Sequence, residues 1–255
     1  GDFAKAAPAY KAAYDKAGKT EIGENALHKL AWSHLKAEQF PQAGDGFAQQ
    51  LEAFPNGELS SDATFLQGEC WFKQKKWEAA LPWYEKVIAT QNPQYYALSL
   101  FRTGECQGKL EAWKKSQQIH EKVLANFPDF ELRAEARYGA GWALQQQGQL
   151  AEAIKQYELV TEETQTETAA KARFMIGECC FAKKEHKEAT RHFLKAAYSY
   201  GHKEWSPMAF FEAGRCFEVL RDSAQAKNCY QQLVEKYGEH SKVRDARRRL
   251  AALGG

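Results

Sequence analysis

The stretch Phe174-Met175-Ile176-Gly177-Glu178-Cys179 decides the fold, because close variants of it recur along the whole chain. The variants begin with an aromatic residue and carry a glycine at the fourth position: Phe65–Cys70, Phe101–Cys106, Tyr138–Ala143 and Phe211–Cys216. Their glycines are 36, 37, 36 and 37 residues apart, and His28–Ser33 is an earlier copy with Ala31 in the glycine position. Repetition at this period indicates an array of similar supersecondary units.

Two further positions repeat with the glycine. A small residue follows twelve positions later: Ala43, Ala80, Ser116, Ala153, Ala189 and Ala226. A bulky, mostly aromatic residue follows after another four: Phe47, Tyr84, His120, Tyr157, Phe193 and Tyr230. This spacing predicts two antiparallel helices per unit, in which small residues let the helices approach and the ring fills the wedge between units. Such units bury their apolar faces by stacking on one another.

Composition favours helices and excludes two classes of partner. The chain of 255 residues is 44% hydrophobic and 27% charged and is rich in good helix formers. Its formal charge of +2 is too small for the positive field that nucleic-acid binding requires, so we expect no nucleic-acid partner. No apolar run approaches the roughly 20 residues of a membrane span, so we expect no direct membrane insertion.

The repeat divides the chain into predicted segments of a single array over 1–255. Residues 1–20 match the second helix of a unit whose first helix is missing, which suggests a fragment of a longer array. Six helix-pair units follow, at 21–56, 57–93, 94–129, 130–166, 167–202 and 203–238. Residues 239–255 are predicted to form a capping helix, with Val243, Ala246, Leu250 and Leu253 on its apolar side.

These residues resemble the tetratricopeptide repeat family, whose pattern has an aromatic residue, a glycine, a later alanine and aromatic residue, and a late proline. The resemblance implies an all-α, right-handed α-solenoid of antiparallel helix pairs, with no catalytic activity, metal or cofactor. The turn between units is longer than usual, as in bacterial cell-envelope members such as the Tol-Pal-associated periplasmic coordinator and the outer-membrane assembly lipoprotein. That similarity implies a periplasmic or cell-envelope location; six unpaired thiols leave the cytoplasm as the alternative.

The family resemblance also implies that the first helix of each unit lines a concave groove. The aromatic residues three positions before the glycine position are predicted to point into it: Phe65, Phe101, Tyr138, Phe174 and Phe211. The alternative is that these rings pack in the core, as regular aromatic residues at helical spacing usually do.

A second set of candidate binding residues lies one position after the glycine position. It consists of Trp32, Glu69, Glu105, Trp142, Glu178 and Arg215. The alternative is a solvated helix face, in which Glu69 pairs with Lys73 and Glu105 pairs with Lys109 at i, i+4 spacing.

The cysteines and histidines do not form a pattern typical of a metal site or a catalytic site. Cys70, Cys106, Cys179 and Cys216 share one repeat position, which predicts small buried thiols too far apart for disulfides. His120 occupies the recurrent aromatic position and is predicted to pack in the core. No set of acid, base and nucleophile converges, so an enzyme is not expected.

The sequence therefore predicts a scaffold that binds a protein or peptide with apolar and basic residues. The alternative is a structural spacer or assembly module that associates with its own copies through the end helices.

Overall fold

In the computed structural model of the protein, residues 3–254 are described, and they form fourteen α-helices and no strand. The helices are α1 (Phe3–Ala17), α2 (Glu21–Lys36), α3 (Phe40–Ala53), α4 (Ser60–Lys73), α5 (Trp77–Thr90), α6 (Tyr96–Lys109), α7 (Trp113–Asn126), α8 (Arg133–Gln146), α9 (Leu150–Glu163), α10 (Glu167–Ala182), α11 (His186–Ser199), α12 (Trp205–Val219), α13 (Ser223–Lys236) and α14 (Val243–Gly254). None of them combines the length and apolar character that a membrane span requires.

Within residues 3–130 and within residues 131–254, consecutive helices pack together, as the repeat predicts. Each of the six predicted units contains two helices: α2 with α3, α4 with α5, α6 with α7, α8 with α9, α10 with α11, and α12 with α13. The prediction of an all-α array of helix pairs is therefore confirmed. The predicted end segments 1–20 and 239–255 include residues 1, 2 and 255, which lie outside the described residues.

The chain divides into two compact units, residues 1–130 and residues 131–255, which we describe separately. The division falls at a predicted boundary between repeats, since the third helix-pair unit was expected to end at residue 129. A single continuous array over 1–255 stays a prediction.

A glycine in the first helix of a pair is covered by the ring from the second helix. A β-carbon added at Gly177 would lie 2.6 Å from Cε1 of Phe193, and one at Gly68 would lie 2.8 Å from Cε1 of Tyr84. Both rings belong to the same pair as their glycine, so the ring fills the space within a pair as well as between pairs. Tyr84 also joins a buried cluster with Cys106 of the next pair. The predicted wedge between units was therefore only part of the role of this position.

In the pair α2–α3, the glycine at the close contact between the helices lies on the second helix instead of the first. Ala31 occupies the glycine position of α2, and a β-carbon on Gly46 of α3 would lie 2.8 Å from the β-carbon of Ala31. The two helices therefore approach as closely as in the other pairs, although the glycine is on α3 and not on α2.

The turn inside every pair uses one residue with a left-handed backbone. It always lies seven positions after the glycine position: Glu38, Lys75, Glu111, Gly148, Lys184 and Arg221, with φ between 58° and 77°. Only Gly148 is a glycine, and the other five adopt a conformation that is unfavourable for residues with a β-carbon.

The last helix covers one end of the second unit. Val243 and Ala246 of α14 are buried, and Leu250 and Leu253 pack against the core of that unit. The opposite side carries exposed arginines, among them Arg247. The predicted apolar side of α14 thus faces the protein and its polar side faces solvent.

All six cysteines are free and buried, as predicted for the four that share a repeat position. Burial, with a smaller contribution from the carboxylates of Glu69 and Glu105, raises the pKa of the Cys70 and Cys106 thiols to about 12. These thiols stay protonated at neutral pH and behave as small core residues.

Candidate functional site

The two predicted rows of binding residues lie on the first helices of the pairs, which are α2, α4, α6, α8, α10 and α12. We call the residues three positions before the glycine position (Phe65, Phe101, Tyr138, Phe174 and Phe211) the ring row. We call those one position after it (Trp32, Glu69, Glu105, Trp142, Glu178 and Arg215) the surface row.

Four members of the ring row are buried, with 3–5% of their surface exposed: Phe65, Phe101, Phe174 and Phe211. Each ring contacts the ring of the second helix in its own pair, as in Phe174–Phe193 with centroids 5.3 Å apart. Phe174 also contacts Trp205, at 5.6 Å. In the free chain these four rings pack between helices, which was the alternative left open by the sequence, and their contact with a partner stays a prediction.

Tyr138 differs from the rest of the ring row, because its side chain is only partly buried. Nζ of Lys171 lies 4.3 Å from the centre of its ring and 5.7 Å from that of Trp205. This is a cation–π arrangement at the surface of the second unit.

The surface row is more accessible. Trp32 is 36% exposed, and Glu105, Trp142, Glu178 and Arg215 are partly exposed, whereas Glu69 is 9% exposed. The ring of Trp32 is held from one side by Phe3, at 5.4 Å with the planes nearly perpendicular. Aromatic and charged groups at this repeat position therefore reach solvent in both units.

In the first unit, the charged members of the surface row are bound to one arginine. Arg102 donates two hydrogen bonds to Glu69, from Nε to Oε1 at 2.8 Å and from Nη2 to Oε2 at 3.1 Å. Its Nη1 donates to Oε2 of Glu105 at 2.6 Å, and the hydroxyl of Tyr84 donates to Oε1 of Glu69 at 2.5 Å. The guanidinium carbon lies 4.8 Å from the ring centre of Phe72. This is a nearly closed network of two carboxylates around one cation.

The electrostatics of this network hold the arginine charged. Burial opposes the charged form of Arg102, but Glu69 and Glu105 outweigh it, so the pKa of Arg102 lies above its ordinary value. Burial likewise raises the pKa of Glu105, and Arg102 offsets part of that increase. The pKa of Tyr84 is raised by burial and by the neighbouring Glu69.

The predicted ion pairs of Glu69 with Lys73 and of Glu105 with Lys109 do not account for these carboxylates. The ion pairs that both glutamates form within 4 Å are with Arg102, which comes from the next first helix for Glu69 and from the same helix for Glu105. The two lysines are exposed. Arg102 therefore takes the place of Lys73 and Lys109, the partners expected from i, i+4 spacing.

In the second unit, Glu212 and Arg215 occupy the repeat positions of Arg102 and Glu105, so the acidic and basic residues are exchanged. Nη1 of Arg215 donates to Oε2 of Glu212 at 2.6 Å, and its guanidinium carbon lies 5.5 Å from the ring centre of Phe181. Burial raises the pKa of Glu178, Glu212 raises it further, and Arg215 lowers it. Burial also raises the pKa of Glu212, which Arg215 partly counteracts.

A second charged group in this unit covers the last ring of the ring row. Lys242 and Arg249 lie over the ring of Phe211, with Nζ and Cζ at 5.1 and 5.7 Å from its centre. Arg249 also donates to Glu218, which accepts a hydrogen bond from the Tyr230 hydroxyl at 3.0 Å. The terminal helix α14, which carries Arg249, thus closes over this end of the face.

Two repeat positions important to this surface were not selected from the sequence. One lies two residues before the glycine position and holds Arg102 or Glu212; the other lies four residues after it and holds Phe72 or Phe181. A usable signal was present, since Arg102–Glu105 and Glu212–Arg215 are i, i+3 pairs of opposite charge. Which residue of a neighbouring helix they meet depends on how the helices pack.

The surface row carries charged and aromatic side chains. Within residues 3–254, no three His, Cys, Asp or Glu side chains are grouped to hold a metal ion. His120 is 2% exposed, and burial lowers its pKa to about 4, so it is a neutral core residue, as predicted for the aromatic position.

The comparison with sequence profiles identifies one family. Sequence profiles of the tetratricopeptide repeat match residues 28–96, 118–168, 138–203 and 208–240. No curated protein sequence matches the chain at a significant level.

Several solved structures have the same fold at low sequence identity. The chain is similar to pilF of Pseudomonas aeruginosa, with 15% identity, a TM-score of 0.65 and coverage of 92% of this chain and 99% of that one. It is similar to the C-terminal part of a repeat protein from Cytophaga hutchinsonii, with 12% identity, a TM-score of 0.72 and coverage of 96% and 94%. It is also similar to YrrB, described as having an unusual peptide-binding site, with 18% identity, a TM-score of 0.57 and coverage of 80% and 99%.

Proposed function

The chain belongs to the tetratricopeptide repeat family, and on this basis we propose that it binds a protein or peptide partner on the surface row of its first helices. Proteins of this family are in general interaction scaffolds without catalytic activity. The observation that carries the proposal is the accessibility of the surface row. Trp32, Glu105, Trp142, Glu178 and Arg215 keep aromatic and charged groups at the surface of helices whose other sides are buried.

The aromatic members of the row supply the affinity in this proposal. Trp32 and Trp142 are large side chains already held in place by packing, so covering them costs little conformational entropy. The buried members of the ring row act indirectly, because they position the helices that present this surface. A peptide with apolar and basic residues complements the tryptophans and the glutamates.

The test is direct selection of ligands followed by replacement of single residues. Random peptides displayed on phage are selected on the immobilised chain, and the Kd of the best peptide is measured by calorimetry. We expect Trp142→Ala or Trp32→Ala to weaken binding at least about tenfold, which is typical of an aromatic anchor. Tyr198→Ala is the matched control, because Tyr198 is 57% exposed but lies on a second helix. Binding that depends on Tyr198 and ignores both tryptophans would contradict the proposal.

Self-association through the end helices is the alternative prediction. The exposed arginines of α14 disfavour it at that end, since like charges repel when two copies meet. We expect light scattering at increasing concentration to give the mass of a single chain throughout. A mass that rises with concentration would support assembly instead. A periplasmic or cell-envelope location stays a prediction from the repeat style.

A further inference from the structure

Two successive helix pairs of the second unit carry an arginine four residues before the glycine position. They are Arg137 on α8 and Arg173 on α10. The first of them has its hydrogen-bond acceptors in its own pair: its Nε donates to Oε1 of Glu163 at 3.0 Å, and its Nη2 lies 2.8 Å from the same oxygen. Its Nη1 donates to Gln156 at 3.3 Å. A carboxylate along the edge of the guanidinium is a typical arginine environment.

Arg173 lacks the carboxylate that its counterpart has, because Ser199 fills the repeat position of Glu163. Nη2 of Arg173 donates to the hydroxyl of Thr161 on α9 at 2.6 Å, and its Nη1 lies 3.4 Å from Nδ1 of His192 on α11. In the described part of the chain, its guanidinium forms no ion pair with a carboxylate. Its Nε is buried and has no hydrogen-bond acceptor there.

The histidine beside Arg173 does not supply the missing acceptors. His192 is 7% exposed, and its Nε2 lies 3.5 Å from Nη2 of Arg191, so guanidinium groups face both of its ring nitrogens. A neutral imidazole has one acceptor nitrogen and can accept from only one of them. Burial and the charges of the two arginines lower the pKa of His192 to about 4, so the ring is neutral at pH 7. Arg191 has a carboxylate of its own, since Glu188 lies at 2.6 Å, whereas Arg173 has none.

We propose that Arg173, held by Thr161 where α9 and α11 both pack against α10, binds a carboxylate from an acidic residue of a protein partner. Arg173 is partly exposed and the neighbouring Arg191 is 70% exposed, so the guanidinium is reached from solvent. A carboxylate is the expected ligand, because Glu163 fills this place beside Arg137 in the preceding pair. The site shares no residue with the surface row and therefore goes beyond the proposed function.

Small probes of defined chemistry test this site. The amide resonances of α9, α10 and α11 are followed by NMR while N-acetyl-glutamate α-amide, whose one charge is its side-chain carboxylate, is added to the full chain at constant ionic strength. We expect a saturable shift centred on Thr161, Arg173 and His192, and at least about tenfold weaker binding of the neutral N-acetyl-glutamine amide. Equal binding of the two would overturn the proposal. Binding of inorganic phosphate without binding of the glutamate probe would also overturn it, since the site would then recognise phosphate groups.

Two variants locate the site, and a third separates it from the proposed function. Arg173→Gln removes the cation and should weaken binding of the glutamate probe at least about tenfold. Lys155→Gln removes an exposed cation of α9 and should leave binding unchanged. Equal losses in these two variants would show that the probe responds only to overall charge. Trp142→Ala, which is expected to weaken binding of selected peptides, should leave binding of this probe unchanged, so either proposal can fail while the other stands.

A further variant lets the chain fill the site itself. Ser199 is exposed at the end of α11, and Ser199→Glu places a carboxylate at the repeat position of Glu163. It should abolish binding of the glutamate probe, whereas Ser199→Gln, which adds nearly the same volume without a charge, should leave binding unchanged. The spectrum of each unbound variant shows whether it is folded. Probe binding by Ser199→Glu at the wild-type affinity would show that Arg173 is not the site.

Discussion

The ring edge of Phe193 lies directly against Gly177, at a distance where the β-carbon of any other residue would come within 2.6 Å of Cε1. The same relationship joins Gly214 to Tyr230, at 2.5 Å. The two members of such a pair are sixteen residues apart in sequence and come from antiparallel helices. This contact explains why a glycine, which is unfavourable inside a helix, recurs at this position.

Replacing this glycine should destabilise the second unit. We expect Gly177→Ala to lower the free energy of unfolding by about 1–2 kcal/mol, because overpacking against a fully buried ring exceeds the roughly 1 kcal/mol gain in helix propensity. Chemical denaturation measures the change. Combining Gly177→Ala with Phe193→Leu should cost less than the sum of the single changes, since the two residues are in contact. A more stable Gly177→Ala protein would contradict the proposed packing.

Breaking the network around Arg102 should destabilise the first unit. Arg102→Met leaves the carboxylates of Glu69 and Glu105 partly buried without their cation, and we expect a loss of about 2–3 kcal/mol, at or below the lower end for a buried pair because Arg102 is 21% exposed. Arg191 is the matched control: it is 70% exposed and bound to Glu188, so Arg191→Met should change stability by less than about 0.5 kcal/mol. Equal effects of the two variants in thermal unfolding would show that Arg102 acts as a surface residue.

The buried His120 should make stability depend on pH. Its pKa is about 4 in the folded chain and about 6.5 when unfolded, so the unfolded state binds the additional proton between these values. Stability contributed by neutral His120 is present above pH 6.5 and is lost as the pH falls towards 4. Between pH 7 and pH 5 we expect a loss of about 2 kcal/mol that is absent in His120→Phe, a residue that other repeats carry at this position. Parallel pH dependences of the two proteins in urea denaturation would contradict this pKa.

Removing the glycine from one left-handed turn and adding a glycine to another should change stability in opposite directions. Gly148 has φ +77° and nothing lies within 4 Å of an added β-carbon, so Gly148→Ala changes only backbone strain and should cost about 1 kcal/mol. Lys75→Gly, in the equivalent turn of the first unit, should instead raise stability by about 0.5 kcal/mol, because φ is 59° at a residue with a β-carbon. Thermal unfolding of both variants measures the effect, and a stabilising Gly148→Ala would be inconsistent with a left-handed turn.

The surface was predicted less completely than the fold. Five residues of the surface row are partly accessible, and their contact with a partner stays a prediction. Glu69 is nearly buried, and Arg102, which binds both glutamates of the first unit, was not predicted. The ring row was placed in a groove or in the core, and the structure places four of its five rings in the core of the free chain. Whether a side chain is accessible and which residue it contacts both depend on the direction in which it points, and the repeat period does not specify that direction.

The sequence by itself determined the helix pairs and their order, because small and bulky residues recur at spacings that only packed antiparallel helices satisfy. It also determined that the four cysteines at the shared repeat position are small core residues and that His120 takes an aromatic position. Tertiary structure decided which charges meet. Glu69 and Arg102 are 33 residues apart and on different helices, so their ion pair depends on how those helices lie against each other. Packing between helices likewise places the guanidinium of Arg215 on α12 at 5.5 Å from the ring centre of Phe181 on α10.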